Sequence, residues 1–487
     1  MTIEEQIQTT ELPIRRSHLS FLLPLGFNNK KRLAFTRSLE KNEYTFFKLN
    51  EWTEQENIFG EDISVKSKEL EQYFLPHTEH ILFPISLKEN GFHRFTKAIK
   101  KTFYLHIHKV KIPFHIQSLD ITLGSFGIAF LTIRVTLDSS DNDLADVLDF
   151  VHHFRTVQPK LHEEQGAVIF DPDNNQPFSV HDLLFTKLCP FLKEFMLHDE
   201  NLDRYFGSLP YYEDERMFVS AFLFSEDNAT ITDDQLYRMG AVNGRTSTGE
   251  IFISANNPSY ICRFLNQCLH DRWAPHTYTI VTSHAFMTIT NKRPESMVRK
   301  LSQFMGTHYY NLLLHYFYKI MLLRVAYEYS KINWEKDDEY VKSLIKFITL
   351  FSSLYYKKEV STRSEGKEFT SLFQNAFHTN SLFKEVHHTL QALYKSQENH
   401  TADRMNMLLF VLTVFTVISG IYGMNLVIKD WELPSGWKNL TTYTWFEWIA
   451  FVTAITGIGL SVYLVITTFS KMLKSKWRKK NSKNQME

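Results

Sequence analysis

The sequence predicts an α+β/α membrane protein: an N-terminal cytosolic α/β domain, a long helical stalk and two C-terminal transmembrane helices. Three observations carry that prediction. Thirteen of the fourteen prolines lie at or before Pro294, and residues 295–433 contain none. Two uncharged runs follow, Met405 to Ile428 with 24 residues and Trp448 to Ser470 with 23, and seven Lys/Arg crowd the last 17 residues.

The chain of 487 residues carries 54 Lys+Arg against 54 Asp+Glu, with 44% apolar and 22% charged residues, which excludes global disorder, collagen-like sequence and low complexity. The neutral total is a cancellation. Residues 471–487 sum to +6, the segment up to Arg404 to −5 and residues 429–447 to −1. A surface built to hold nucleic acid is not expected, because neutralising several phosphates needs a basic excess on the fold. Cys189, Cys262 and Cys268 are too few and too odd in number for a disulfide framework, and no CxxC spacing marks a zinc ribbon. A reducing compartment fits. The N-terminus is acidic before it is basic, and its short apolar run is broken by Pro24, so it lacks the order of a secretory signal.

Residues 1–294 form the first expected domain. Runs such as LHIHKVKIPFHI and GIAFLTIRVTL have strand character and alternate with helical pieces such as ADVLDFVHHFRTV and VHDLLFTKLCPFLKEFM, the mixed signature of an α/β or α+β domain. Acid-rich turns at 138–146, 198–203 and 213–216 offer carboxylates for divalent cations, although their spacing matches no calcium loop; a solvated surface is the plainer reading. His106 and His108 share one side of a strand by its two-residue period, as a metal pair or as a packed or exposed pair.

Residues 295–404 form the expected bundle and stalk. Without proline to remove a backbone donor, helices are expected over about 295–333, over about 339–358, and from near Lys367 onward without a break. In the third, Phe369, Phe373, Ala376, Phe383, Val386, Leu390 and Leu393 recur mostly at three, four or seven, which draws one apolar stripe. The stripe suits an antiparallel bundle or a stalk packed on copies of itself.

The two uncharged runs then give transmembrane helix 1 at 405–428, an external loop at 429–447, transmembrane helix 2 at 448–470 and a basic tail at 471–487. The loop carries Trp431, Trp437, Tyr443 and Trp445 in front of Trp448, aromatics suited to a membrane boundary. By the positive-inside rule the tail faces the cytosol, which puts both termini and the large domain there and places the chain as a multi-pass protein of the cell membrane in contact with the lipid bilayer. One hairpin leaves no interior in lipid, so a polar path needs several copies around an axis. Thr413, Thr416, Ser419, Gly420 and Gly423 are small or hydroxylated at steps of three or four; they could line such a path, or bond to carbonyls four residues back and permit close packing.

The first run closes on Tyr422-Gly423-Met424-Asn425. At this place, with a long proline-free helix before it, a short aromatic loop after it and a basic tail, the sequence resembles the CorA family of magnesium and divalent-cation channels. The resemblance covers about residues 367–480 and is architectural elsewhere. It implies a homopentameric funnel whose first spans line the pore, conducting Mg²⁺ inward, with Co²⁺ and Ni²⁺ as further cargo. It implies an outer ring of Gly423, Met424 and Asn425, with the Asn425 amide oxygen meeting the hydrated ion. Mg²⁺ sheds water reluctantly, so neutral amide acceptors can select the hydrated ion through its water shell, whereas carboxylates could hold it too tightly for passage. Asp430 and Glu432 stand just beyond to concentrate cations. Helical steps and the family pattern together place Gly420, Thr416, Thr413, Leu409, Met405 and Asn399 toward the axis, with Met405 as an apolar constriction and Asn399 as a polar ring beneath it.

Two positions depart from that pattern. His388 stands where well-known members carry an acidic pore residue, and Thr413 where a bulky apolar gate is common. His387-His388 suits a zinc-handling variant or two exposed stalk histidines. The resemblance also implies regulatory Mg²⁺ held by acidic groups between cytosolic domains, stabilising the closed state; the sequence does not pick out that acidic pair. A zinc or other divalent-cation transporter of the same superfamily is the nearest alternative. From another class, a membrane-anchored sensor or enzyme needs only an anchor, but no Gly-rich phosphate loop, HExxH or GxSxG is present, and no enzyme activity is expected.

Overall fold

The computed structural model describes residues 11–49, 59, 63–107, 110–137, 142–160, 166–172, 174–197, 208–213, 215–332 and 338–423, and fourteen scattered positions between 444 and 466. Its strands are β1 (Ile14–Gly26), β2 (Thr45–Phe46), β3 (His93–Ile107), β4 (Val110–Leu123), β5 (Ile128–Leu137), β6 (Ala167–Asp171), β7 (Asn174–Phe178), β8 (Phe218–Ser225), β9 (Leu269–Trp273), β10 (Thr277–Val281) and β11 (Ala285–Thr290). Its helices are α1 (Arg32–Lys41), α2 (Ser67–Tyr73), α3 (Pro76–Leu82), α4 (Leu144–Phe154), α5 (Val180–Asp182), α6 (Asp233–Ala241), α7 (Pro258–Cys268), α8 (Pro294–Gln303), α9 (Tyr309–Ser330), α10 (Asp338–Leu350), α11 (Ser364–Ala376) and α12 (Thr379–Gly423).

The eleven strands make one mixed sheet in the order β7-β6-β3-β4-β5-β1-β8-β11-β10-β9, with β2 on β3. Among the described residues only β8 and β11 pair in parallel. The central strands are buried on both faces, as the unbroken apolar run of β5 requires: all ten of its residues are buried. Period-two geometry then sorts the side chains. Leu131, Ile133 and Val135 of β5, Leu19, Phe21 and Leu23 of β1, and Val219, Ala221 and Leu223 of β8 fall into one large core. There Phe150 and Phe154 of α4 meet Phe21 and Phe114, with Phe154 at 4.7 Å from Phe21. The residues between them face the other way, where Phe130 and Phe218 meet Tyr316 of α9 at 5.6 and 5.3 Å, and Phe286 meets Phe304 and Phe373.

That second layer explains the proline-free stretch. The helix expected over 295–333 is present as α8, a π-helical turn at Phe304–His308, and α9. Tyr309 to Phe317 of α9 is buried residue after residue, so it is a core helix covering the sheet. The helix expected over 339–358 is α10 with a π-helical turn at Phe351–Tyr355. The piece VHDLLFTKLCPFLKEFM is irregular: α5 leads into a π-helical turn at Leu183–Leu188 and a 3₁₀ turn at Pro190–Glu194, since Pro190 denies the backbone donor a longer helix needs.

The unbroken stalk is corrected. Helix α11 ends at Ala376, and His378, in the left-handed conformation with φ +53°, turns the chain before α12 begins. The chain divides into two compact units, one of Met1–Tyr327 with Leu350–Glu385, the other of Glu328–Thr349 with Val386–Met486.

The expected membrane architecture is also corrected. Among the described residues no helix is long and apolar enough to cross a membrane. The helix α12 has 45 residues and carries Lys384, Glu385, Lys395, Glu398, Asp403 and Arg404 ahead of its uncharged end. The second uncharged run is described only at scattered positions, and the loop 429–443 and the tail 471–487 lie outside the described residues. The fold class is therefore a mixed α/β protein around an eleven-stranded sheet, and the two transmembrane helices and the multi-pass placement in the cell membrane are withdrawn.

Candidate functional site

The side chains expected to meet the ion lie on α12. Met405, Leu409, Thr413, Thr416 and Gly420 follow one another at steps of four, four, three and four, and so share a face of the helix. Asn399, six positions before Met405, is displaced from that face by about a third of a turn. All six are exposed; Met405 and Leu409 are 54% and 55% exposed, and a Cβ built at Gly420 would meet nothing within 4 Å. The Oγ1 of Thr413 donates to the carbonyl of Leu409 and that of Thr416 to the carbonyl of Leu412, each at 2.8 Å. Each hydroxyl thus satisfies a carbonyl four residues back, and its oxygen keeps the capacity to accept. Gly423 is the last residue of α12, while Met424, Asn425, Asp430 and Glu432 lie outside the described residues.

The same helix also exposes Met407, Leu408, Phe410, Leu412 and Val417 at 53–65%. This much apolar surface on one helix calls for a cover. His387 and His388 are exposed as well, with His387 Nε2 at 3.3 Å from the amide nitrogen of Gln391.

Among the described residues the acid-rich turns do not assemble a cation site. Asp143 and Asp146 form the capping box of α4 and both bind Arg245, Asp146 Oδ1 at 2.8 Å from its Nε. Burial and the nearby Asp143 push Glu11 up to about 7. Glu213 pairs with Arg216 at 3.2 Å and Glu215 with Lys160 at 2.5 Å. The turn at 198–203 lies outside the described residues. Among those described, no group of three or more His, Cys, Asp or Glu could hold a metal. His106 packs on Phe170, ring centres 4.3 Å apart, and His108 lies outside the described residues. The three cysteines are free thiols; burial pushes Cys189 up to about 11 beside Tyr44, at 3.2 Å.

A charged cluster inside the second layer escaped the sequence reading. Asp120 on β4 is fully buried between Arg94 on β3 and Arg134 on β5. Its Oδ2 lies 3.0 Å from Arg94 Nε and also accepts from Arg134 Nη1, while Oδ1 accepts from Thr96 Oγ1 at 2.9 Å. Burial alone would raise this carboxyl, yet Arg134 and Arg94 outweigh it and hold it below its ordinary value. The guanidinium of Arg134 lies over the rings of Phe59 and Tyr309, at 4.7 and 5.2 Å. The available signal was one charged residue at an inward position of each of two apolar strands, SLDITL and LTIRVTL.

Comparison of the chain with known protein families, with curated proteins and with solved structures finds no match.

Proposed function

We propose that the chain is a divalent-cation conductor of the CorA type, a homo-oligomer of five copies in which the threonine face of α12 lines the ion path and hydrated Mg²⁺ is the principal cargo. The observation that carries this reading is the exposed face Met405, Leu409, Thr413, Thr416, Gly420, on a helix that Gly423-Met424-Asn425 follows in the sequence. Hydrated Mg²⁺ presents water hydrogens, so a path of hydroxyl and amide acceptors holds it without stripping its shell. The other exposed apolar side chains of α12 support assembly, because neighbouring copies would cover them. Met405 supplies the apolar constriction and Asn399 a polar ring.

Zn²⁺ transport is the second reading, favoured by the exposed pair His387-His388. Parallel uptake assays with Mg²⁺, Co²⁺, Ni²⁺ and Zn²⁺ separate the two. Mg²⁺ entry unaffected by His387→Ala/His388→Ala supports the first, and Zn²⁺ entry that the double variant abolishes, without Mg²⁺ entry, replaces it.

A further inference from the structure

The π-helical turn Phe304–His308 inserts a wide turn between α8 and α9, a device that commonly marks functional positions. Here it sets Thr307 and His308 against a cleft of about 320 Å³. His308 is 7% exposed, flanked by Phe369 at 4.5 Å and Tyr73 at 6.0 Å, and lines the cleft. Its ring nitrogens have no hydrogen-bond partner among the described residues. Burial lowers it to about 4, so it is neutral at physiological pH, with one N–H to donate and one nitrogen to accept.

Across the cleft begins α11, thirteen residues long, whose N-cap Arg363 makes no side-chain cap. Ser364 and Glu365 of its first turn line the same space as Arg272 and Arg363, and the start of a helix favours an anion through its N–H groups and the positive end of its dipole. Arg272 engages only its Nη1, with Ser364 Oγ at 3.0 Å and Glu368 Oε1 at 3.1 Å. Arg363 engages only its Nη2, with Gln72 Oε1 at 3.1 Å. The other guanidinium N–H groups of both have no partner among the described residues, and a fork of this kind matches a phosphate. Two carboxylates complete the lining: Glu365, which accepts from Trp273 Nε1 at 3.2 Å, and Glu69, 3.9 Å from Arg299. Carboxylates repel a bare anion and accept from hydroxyls.

The geometry points to a binding site for a hydroxylated phosphate monoester, with the phosphate at the first turn of α11 between Arg272 and Arg363, and the hydroxyls on Glu69, Glu365 and His308. A cleft of this volume admits a sugar phosphate and is too small for a dinucleotide. No residue of α12 lines the site, so it stands or falls independently of cation conduction.

Calorimetric titration of the full chain with ribose 5-phosphate, inorganic phosphate and ribose tests it. Saturable binding of the ester is expected, tighter than inorganic phosphate, with none for ribose. Arg272→Gln and Arg363→Gln should each weaken the ester by at least about tenfold, as loss of a charge-assisted fork predicts. Arg263→Gln, an exposed charge on α7 that does not line the cleft, should leave it unchanged. Glu69→Gln should tighten inorganic phosphate, a gain that a damaged fold cannot produce. No saturable ester binding, equal affinity for ester and inorganic phosphate, or arginine variants that bind like the wild type would each overturn the assignment.

Discussion

Asp120 is one carboxylate serving two guanidinium groups, so removing its charge strands both in a layer that water does not reach. Asp120→Asn should cost about 3–5 kcal/mol in chemical denaturation, the usual penalty for breaking a buried ion pair from one side. The carboxyl is depressed in the fold, so its stabilisation is present above its unfolded value of 3.8 and is lost only as pH falls below it. Histidines act in a higher window. Burial, with Arg16 adding for His18, lowers His18 to about 3, and burial lowers His315 to about 4, from 6.5 in the unfolded chain. Below pH 6.5 the unfolded state binds protons that the fold refuses, so stability is full above that pH and declines down to about 4. Each such histidine contributes a slope of about 1.4 kcal/mol per pH unit. Urea denaturation at pH 7.5 and 5.0 reads this, and a flat profile would contradict it. These residues were invisible in the sequence because an inward-pointing Asp or His looks like any other polar position until its strand neighbours are known.

At the scale of elements, close approach decides several junctions. At Gly306, in the π-helical turn, an added Cβ would lie 2.6 Å from Val65 Cγ1, and at Gly127 (φ +73°) it would lie 2.6 Å from the backbone oxygen of Phe27. Gly127→Ala is the more costly, since it combines a left-handed backbone with an unyielding carbonyl. A loss of about 1–3 kcal/mol is expected, against less at Gly306, where a valine methyl can shift. Thermal denaturation of the two variants checks the order. Much at this scale was legible. The strands in LHIHKVKIPFHI and GIAFLTIRVTL and the helix in ADVLDFVHHFRTV follow from their own period and apolar content. The break at His378 was not, because a single residue at positive φ leaves no mark on the periodicity around it.

For the whole molecule, the proline count identified helices but not their job. A proline-free stretch reads the same whether its helix is buried all round, as Tyr309 to Phe317 of α9 are, or exposed over much of its length, as α12 is. Similarly, runs of uncharged residues gave two transmembrane helices, whereas no described helix is long and apolar enough to cross a membrane. If copies cover the exposed side chains of α12, native mass measurement of the full chain should find a pentamer, and Leu408→Glu, placed on the covered faces, should dissociate it. A monomeric wild type would remove the path altogether. Cation conduction itself is tested most directly by adding the full chain to vesicles loaded with a Mg²⁺ indicator and imposing a Mg²⁺ gradient. The account predicts Mg²⁺ entry with the wild type and its loss in Asn425→Ala at unchanged oligomeric state. Absence of entry with the wild type, or equal entry with the variant, would contradict it.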